Sequence, residues 1–373
     1  MKTQRLLIDV INSFLKNTLL PDCQNWEALF SCAKKHSLGV IFYQAIKRNE
    51  NVPEKVKQSA KAHAQAQISQ QIQQEYFAEE IFRRLEEKSV KYMPMKGYIL
   101  RTLYPSPELR SSCDVDIFYD KTRKQDVEAA MQGLGFSKEG NIEWGNGVVT
   151  VEMHDALIDE NQADASYYQN AWERLQPQSG MRYDFSAEDF YVYFIRHAKT
   201  HFLGGGFGIR MLLDIYVYLT KQPSFDRQYV KAELEKLGLQ KFADCLEQLA
   251  FIWFDGREST QEMSALEKYI FQSGAYGIDS NKAAILGAKG ETSAKGAQRR
   301  YVFKTVFPPF TAMKGKYPFL KKVPFLLPVM WVYKWFEVLF TRRKKFRSTV
   351  RNMKKLNEEK FQDVSKILEM TGL

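Results

Sequence analysis

Cysteine is scarce in this 373-residue chain, and long apolar runs are missing from it. Cys23, Cys32, Cys113 and Cys245 are scattered without a C-x-x-C pair, which argues against a zinc knuckle and a disulfide framework. We expect all four to be core thiols. No apolar stretch reaches the roughly 18 residues that a membrane-crossing helix needs. The sequence therefore predicts a cytoplasmic protein without a transmembrane segment, or one peripheral to the membrane.

Acidic residues are sparse in the last fifth of the chain. Residues 295–373 contain 19 Lys or Arg against 5 Asp or Glu, whereas the 294 residues before them contain 35 and 39. The net charge of +10 therefore belongs to this segment. A basic segment on a mildly acidic body predicts a phosphate-bearing partner, either nucleic acid or an anionic membrane surface. Its aromatic residues leave another interpretation open, an amphipathic helix that packs on the body of the protein.

Apolar periodicity divides the chain into four regions. Residues 1–88 are predicted to be helical, and residues 89–175 switch between strands and helices. Residues 176–286 return to amphipathic helices, and residues 287–373 combine a linker with a basic, aromatic helical segment. The predicted linker or mobile loop is the run GAKGETSAKGAQ, which has no apolar face. The expected fold class is α+β, with a small mixed β-sheet core flanked by N-terminal and C-terminal helical modules.

Two carboxylates stand two residues apart in R-S-S-C-D-V-D-I-F-Y, which begins at Arg110. Side chains alternate faces on a strand, so Asp114 and Asp116 would project from one side while Val115 turns into the core. Two neighbouring acids repel each other unless a cation lies between them, and carboxylate oxygens suit Mg²⁺. The pair therefore indicates phosphoryl or nucleotidyl transfer.

A third acid lies in the segment V-V-T-V-E-M-H, which ends at His154. Its alternation places Glu152 and His154 on the face opposite the core. Two-metal phosphoryl transfer usually needs a third carboxylate from a neighbouring strand. We predict that Glu152 is this ligand or the general base, and that His154 orients a substrate phosphate or hydroxyl.

Candidate phosphate-binding residues precede Asp114 and Asp116 in the sequence. Lys96 and Gly97 lie where a predicted strand turns into a helix, and the free amides of a helix N-terminus attract phosphate. Gly97 lets the backbone approach a ligand closely, and Lys96 adds a positive charge. Arg110 is the other nearby cation. We predict that Lys96, Gly97 and Arg110 bind a triphosphate.

Two further pairs have helical spacing. His197 and His201 are four residues apart, as in helical zinc sites, but no H-E-x-x-H motif or third ligand accompanies them. We expect them to line a cleft or to satisfy buried hydrogen bonds. Arg210 and Asp214 have the same spacing, which favours a structural ion pair.

Taken in the order in which they occur along the chain, the motifs resemble those of the uncharacterised bacterial nucleotidyltransferases of the polymerase-β-like superfamily. The resemblance rests on K-G-Y-I-L-R-T-L-Y-P-S-P-E-L-R-S-S-C-D-V-D-I-F-Y, V-E-M-H, H-A-K-T-H and G-I-R-M-L-L-D-I. Cys113 stands where the family commonly has glycine, and the superfamily's Gly-Ser signature is absent. The resemblance implies a phosphate turn at Lys96 and Gly97 and three catalytic metal ligands, Asp114, Asp116 and Glu152.

The resemblance implies a magnesium-dependent nucleotidyltransferase, with Mn²⁺ as the other candidate ion. Such an enzyme moves a nucleoside monophosphate from a nucleoside triphosphate, such as ATP, to an acceptor hydroxyl by two-metal-ion phosphoryl transfer. The acceptor stays open among RNA, a protein and a glycan precursor. One alternative is a non-catalytic protein of the same fold that binds RNA or an anionic membrane surface through its basic C-terminus. Another is a toxin-like enzyme that acts on transfer RNA.

Overall fold

A five-stranded mixed sheet organises the first of two units in the computed structural model of this chain. The first unit comprises Met1–Arg196 and Ile209–Glu258, and the second comprises His197–Gly208 and Ser259–Leu373. Strands and helices alternate around the sheet and helices flank it, so the predicted α+β class is confirmed. The structure describes residues 1–159, 162–222, 225–288, 290–291, 293–341 and 356–373.

Helices precede the sheet, as the periodicity of the first 88 residues predicts. Asn25 caps one of them, because its side chain accepts a hydrogen bond from the Ala28 amide at 2.8 Å. The longest, with 34 residues, lays its last turns on the sheet through Ala78, Ile81 and Phe82. These helices are α1 (Lys2–Lys16), α2 (Trp26–Lys35), α3 (Gly39–Ile46) and α4 (Glu54–Glu87).

The sheet has the strand order β1-β2-β5-β4-β3. Its strands are β1 (Tyr92–Pro94), β2 (Val115–Tyr119), β3 (Ser137–Lys138), β4 (Glu143–Gly145) and β5 (Thr150–His154). Only β2 and β5 pair in parallel among these strands, and every other neighbouring pair is antiparallel. In the parallel pair Val115 lies beside Val151 and Asp116 beside Glu152. The register therefore joins the two acidic motifs.

The two faces of the sheet differ in what covers them. Val115, Ile117 and Val151 lie on one face and are buried against α4 and the helix that follows β2. Burying each such side chain contributes about 1.5–3 kcal/mol of hydrophobic stabilisation. Phe118 lies on the other face, in a second core that includes Tyr193. Because side chains alternate along β2, Asp116 shares this second face with Phe118.

The rest of the first unit is mostly helical. Its helices are α5 (Gly97–Leu100), α6 (Lys124–Gly133), α7 (Ala187–Leu203) as far as Arg196, α8 (Ile209–Lys221), α9 (Arg227–Lys236) and α10 (Gln240–Phe254). Short 3-10 helices cover Arg101–Leu103, Pro107–Leu109, Lys121–Arg123, Ala165–Tyr168 and Ala171–Arg174. A hairpin of β6 (Leu175–Pro177) and β7 (Tyr183–Phe185) completes it.

The described part of the second unit is helical. It contains α11 (Met263–Ser273), α12 (Asp279–Ala288), α13 (Ala294–Val306), α14 (Phe310–Lys316), α15 (Leu327–Thr341) and α16 (Glu358–Thr371), with 3-10 helices at Pro318–Lys321 and Pro324–Leu326. No helix in the described ranges is both long and apolar enough to cross a membrane. The basic run at 342–355 lies outside the described residues.

Two sequence predictions need correction here. Much of the predicted linker at 287–298 belongs to α12 and α13, because small residues let these helices approach closely: a Cβ on Gly287 would lie 2.1 Å from that of Ala297. A face of Gly and Ala can thus be buried without large apolar residues. The prediction that all four cysteines are core thiols is wrong for Cys113, which is exposed.

Candidate active site

Two polar side chains, those of Lys96 and His154, contact the carboxylate of Asp116 on β2. Lys96 Nζ donates a hydrogen bond to Asp116 Oδ1 at 2.6 Å. His154 Nε2 lies 2.9 Å from the same oxygen and 3.1 Å from Glu152 Oε2. We call Asp116, Glu152 and His154 the acid cluster. The parallel register creates it, because Asp116 and Glu152 are direct neighbours on adjacent strands.

Burial makes the charges of this site interact strongly. Burial alone would raise the pKa of Asp116, but Lys96 and the hydrogen-bonded His154 hold it far below its usual range. Burial alone would lower the pKa of His154, but its hydrogen bonds to Asp116 and Glu152 raise it above its ordinary value. Lys96 is also buried, and Asp116 nevertheless raises its pKa. Lys96 and the hydrogen bond from His154 therefore stabilise the ionised form of the buried Asp116 carboxylate.

Asp114 lies directly before β2 and is half-buried. Burial raises the pKa of Asp114, and the negative charges of Asp116 and Glu152 raise it further. The Ser112 hydroxyl donates to the Asp114 carbonyl at 3.0 Å, which fixes the local turn. The negative charges of the acid cluster therefore act on the Asp114 carboxylate and disfavour its ionised form.

The acid cluster fits a divalent cation by its donor set. One ligand atom each from Asp116, Glu152 and His154 lies within 4.8 Å of the others. Carboxylate oxygens suit Mg²⁺ and Mn²⁺, and Asp114 adds a third negative charge nearby. Asp114 is not part of this group within the described ranges, so its predicted role as a metal ligand stays a prediction.

The Lys96–Gly97 turn combines an unusual backbone with a close approach. Lys96 has φ 49° and ψ −111°, a conformation that non-glycine residues rarely adopt and that costs about 1–3 kcal/mol. A Cβ on Gly97 would lie 2.7 Å from Arg110 Nη1 and 3.0 Å from Ser112 Oγ. The missing side chain thus lets the turn pack on the loop before β2. The helix that follows is only four residues long.

Arg110 lies in a buried ion pair. Its Nε and Nη2 donate to the two carboxylate oxygens of Asp214, at 2.9 and 3.0 Å, and both side chains are buried. The Tyr104 hydroxyl donates to the same carboxylate at 2.7 Å. Arg210 donates to the Ser111 carbonyl at 2.6 Å. The predicted contact of Arg110 with a triphosphate stays a prediction, while the structure gives Arg110 a role in holding the loop before β2.

The histidine pair of the sequence lies in the second unit. His197 Nε2 and His201 Nε2 are 2.9 Å apart on α7. The only group of three or more candidate metal ligands in the described part of the chain is the acid cluster, and it does not include them. This contact is exposed, so it is not one of the predicted buried hydrogen bonds, and the predicted place of the pair in a cleft stays a prediction.

The matching family has the description "Uncharacterised nucleotidyltransferase", and its model covers residues 22–255. This chain belongs to that family. The match includes the Lys96–Gly97 turn, the two acidic motifs and the helix that carries Asp214. The resemblance predicted from the motifs is therefore confirmed, as is the nucleotidyltransferase class.

Other comparisons add little to this assignment. No curated protein matches the chain. A solved structure that resembles part of it is the solution structure of the antibiotic-resistance factor ANT(2'')-Ia, at 14% sequence identity and a TM-score of 0.33. That match covers 50% of this chain and 97% of the other.

Sequence reasoning missed the partners that hold the site. Helical spacing predicts Arg210 as the partner of Asp214, whereas the hydrogen bonds to Asp214 come from Arg110 and Tyr104, 104 and 110 residues away. The contact between Lys96 and Asp116 was also missed. No local pattern carries such information, because these contacts arise only when the strands and helices assemble.

Proposed function

We propose that this nucleotidyltransferase moves a nucleoside monophosphate from a nucleoside triphosphate to an acceptor hydroxyl, with Mg²⁺ or Mn²⁺ as its cofactor. The observation that carries the proposal is the acid cluster, in which ligand atoms of two carboxylates and an imidazole lie within 4.8 Å of one another beside Lys96. A buried carboxylate needs charged partners, and a divalent cation would join those that Lys96 and His154 already supply to Asp116. The family match supports the same chemistry.

The proposed reaction assigns a task to each side chain. Asp116 and Glu152, with Asp114 beside them, would hold the ion, and a bound ion would polarise the α-phosphoryl group as a Lewis acid. The Lys96 ammonium group stabilises negative charge on the phosphoryl oxygens. Glu152, whose side chain is 23% exposed, takes the proton of the acceptor hydroxyl. The hydroxyl oxygen forms the new bond to phosphorus, and pyrophosphate leaves with the electron pair of the broken bond.

Calorimetric titration tests the proposal without knowledge of the acceptor. We expect a non-hydrolysable ATP or GTP analogue to release heat in the presence of Mg²⁺ and little in its absence. Glu152→Gln should weaken this metal-dependent binding at least about tenfold, because it removes a negatively charged ligand.

A matched control separates this effect from a general change in charge. Glu128→Gln removes a carboxylate on α6 that pairs with Lys138 at 3.1 Å, away from the acid cluster, and should leave binding unchanged. The non-catalytic alternative expects no metal-dependent heat at all. Equal heats for the wild type and Glu152→Gln would also contradict the proposal.

One surface of the second unit favours an additional function. Val329, Val332, Tyr333 and Phe336 lie on one face of α15 and are between 43% and 60% exposed. Exposed apolar side chains at this spacing are typical of helices that lie in a membrane interface. Lys321 and Lys322, shortly before α15, are exposed as well. We propose that this face attaches the protein to an anionic membrane surface.

Vesicle sedimentation tests the membrane proposal. The wild type should bind vesicles of three parts phosphatidylcholine to one part phosphatidylserine more tightly than vesicles of phosphatidylcholine alone. Tyr333→Glu should weaken this binding about tenfold, because an apolar contact is lost and a repelling charge is added. Tyr276→Glu is the matched control, since Tyr276 is 76% exposed elsewhere in the same unit. Equal loss in both variants, or binding to RNA in place of vesicles, would contradict a specific membrane face.

A further inference from the structure

A cavity of about 580 Å³ lies at the carboxyl ends of β2 and β5. Its first side is formed by Phe118 near the end of β2 and by residues 120–122 and 155–158, which follow the two strands. The two 3-10 helices Ala165–Tyr168 and Ala171–Arg174 form the other side. Cavities of this size are typical of small-molecule sites. The reaction proposed above leaves this cavity without a role.

The cavity and the acid cluster share one face of the sheet. Phe118, which lines the cavity, follows Asp116 by two residues on β2, so the two side chains project the same way and their Cα atoms are about 7 Å apart. His154 lies beside Phe118 in the register of β2 and β5. From His154 the chain continues directly into the cavity wall at Asp155. His154 is therefore the member of the acid cluster that directly precedes the cavity wall along the chain.

The Lys96–Gly97 turn lies toward the opposite end of β2. Strand β1 runs antiparallel to β2 with Pro94 opposite Ile117, so the chain leaves β1 toward the start of β2. The Met95 amide then donates to the Asp116 carbonyl at 3.0 Å. In phosphoryl transfer the attacking and leaving oxygens lie in line on opposite sides of phosphorus. If the leaving pyrophosphate lies at the turn, the attacking hydroxyl comes from the side of the cavity.

We infer that this cavity is the acceptor site and that the acceptor is a small polyhydroxylated ring without phosphate groups, a sugar in chemical class. The inference rests on the proposed function for the direction of attack. The molecule that occupies the cavity must present a hydroxyl toward His154 and Glu152. It must also fit a pocket with aromatic walls and a polar rim.

The walls of the cavity suit an apolar ring face. The rings of Phe118 and Trp172 stack at 4.7 Å between centroids, with 24° between their planes. Tyr168 adds a third aromatic wall, and its buried hydroxyl has no hydrogen-bond partner among the described residues. The three aromatic side chains therefore give the cavity the apolar lining that is typical of small-molecule sites.

The rim of the cavity suits hydroxyl groups and disfavours phosphates. Ser166 and Gln169 are exposed at its edge and can exchange hydrogen bonds with hydroxyls. Asp120 and Asp155 also line it, whereas Lys121 is the cation among the described lining residues. A phosphorylated acceptor would bring its negative charge to two carboxylates. The balance of charge therefore selects a neutral ring.

The wall that faces the sheet is firmly held. Arg196 donates to both carboxylate oxygens of Asp164, at 3.0 and 3.1 Å. This ion pair fixes the segment before the 3-10 helix Ala165–Tyr168. The Tyr167 hydroxyl bonds to Glu233, and the guanidinium of Arg174 lies 4.1 Å from the centre of the Tyr167 ring. A preformed wall of this kind is what a small-molecule site needs.

Saturation-transfer NMR tests the inference independently of catalysis. The probes are the methyl glycosides of glucose, galactose and mannose, each offered to the full chain without nucleotide. We expect at least one to receive saturation from the wild type and none from Ser166→Trp, whose indole would fill the cavity. Asn170→Trp is the matched control, because Asn170 is exposed between the two 3-10 helices and does not line the cavity. It should behave like the wild type.

Calorimetry then separates this inference from the proposed function. Ser166→Trp should bind the magnesium complex of the nucleotide analogue within about twofold of the wild type, since the triphosphate lies elsewhere. A tenfold loss of nucleotide affinity in Ser166→Trp would mean that the cavity holds the nucleobase, which overturns the inference. So would a wild type that binds none of the probes, or one that prefers glucose 1-phosphate to methyl glucoside. Absence of nucleotide binding in the wild type would refute the proposed function alone.

Discussion

Asp116→Asn is expected to lower the rate of pyrophosphate release by about a thousandfold. Asparagine keeps the shape of the side chain, and its carbonyl oxygen can still accept the hydrogen bond from Lys96. It loses the negative charge that makes Asp116 the centre of the acid cluster. Stabilisation by a correctly held metal ion is worth several kcal/mol in the transition state, and about 4 kcal/mol corresponds to three orders of magnitude in rate.

The measurement is pyrophosphate release from each labelled nucleoside triphosphate in the presence of Mg²⁺ and candidate acceptors. Asp126→Asn is the matched control, since Asp126 pairs with Arg123 on the surface of the same unit and lies outside the acid cluster. Circular dichroism of all three proteins must show the same fold. If Asp116→Asn turns over as fast as Asp126→Asn, Asp116 has no catalytic role.

The residues of this site were accessible from the sequence because they lie on strands. Alternation along β2 and β5 is a local property, so it places Asp116, Glu152 and His154 on polar faces without any knowledge of the fold. The buried side chain of Val115 in β2 agrees with its predicted place in the core, and the buried side chains of Val151 and Met153 confirm the alternation of β5. What the pattern leaves open is which strand lies beside which.

The assembly of the site depends on contacts between distant segments. The sequence does not specify that β5 pairs with β2 in parallel, and a shift of one residue would move Glu152 to the other face. Helical spacing favours the nearby Arg210 as the partner of Asp214, and nothing local in the sequence indicates the distant Arg110. The structure decides for Arg110 because its guanidinium meets the carboxylate with two parallel hydrogen bonds.

The misassigned linker has a different cause. Hydrophobic periodicity detects large apolar side chains, and helices that meet through Gly287 and Ala297 need none. The Ser293 side chain also accepts a hydrogen bond from the Gly296 amide, which starts α13 inside the predicted linker. Close packing of small residues becomes visible only when both helices are in place.

Asp214→Ala is expected to destabilise the first unit by about 3–5 kcal/mol, the largest effect on stability that we foresee. The carboxylate is 1% exposed and accepts hydrogen bonds from Arg110 and Tyr104. Its removal leaves the guanidinium of Arg110 buried without a counter-charge, and an unpaired buried charge costs about this much. For a unit of this size the midpoint of thermal unfolding should fall by roughly 10 °C.

A surface pair provides the matched control. Asp255 lies 3.5 Å from Arg257 with both side chains largely exposed, so Asp255→Ala should cost less than about 1 kcal/mol. The double variant Arg110→Met with Asp214→Leu should recover much of the loss, because neither charge then remains buried. Urea unfolding followed by circular dichroism measures all four proteins.

The same buried pair should also affect catalysis, because it holds the loop that leads into the acidic strand. Arg110 precedes Asp114 by four residues, and the Gln71 side chain donates to the Arg110 carbonyl at 2.5 Å. At a temperature well below its melting midpoint, Asp214→Ala should therefore release pyrophosphate more slowly than Asp255→Ala. The double variant should regain more of the lost stability than of the lost activity. An Asp214→Ala protein as stable as Asp255→Ala would show that Arg110 finds another partner, and the proposed role of this pair in positioning Asp114 would fail.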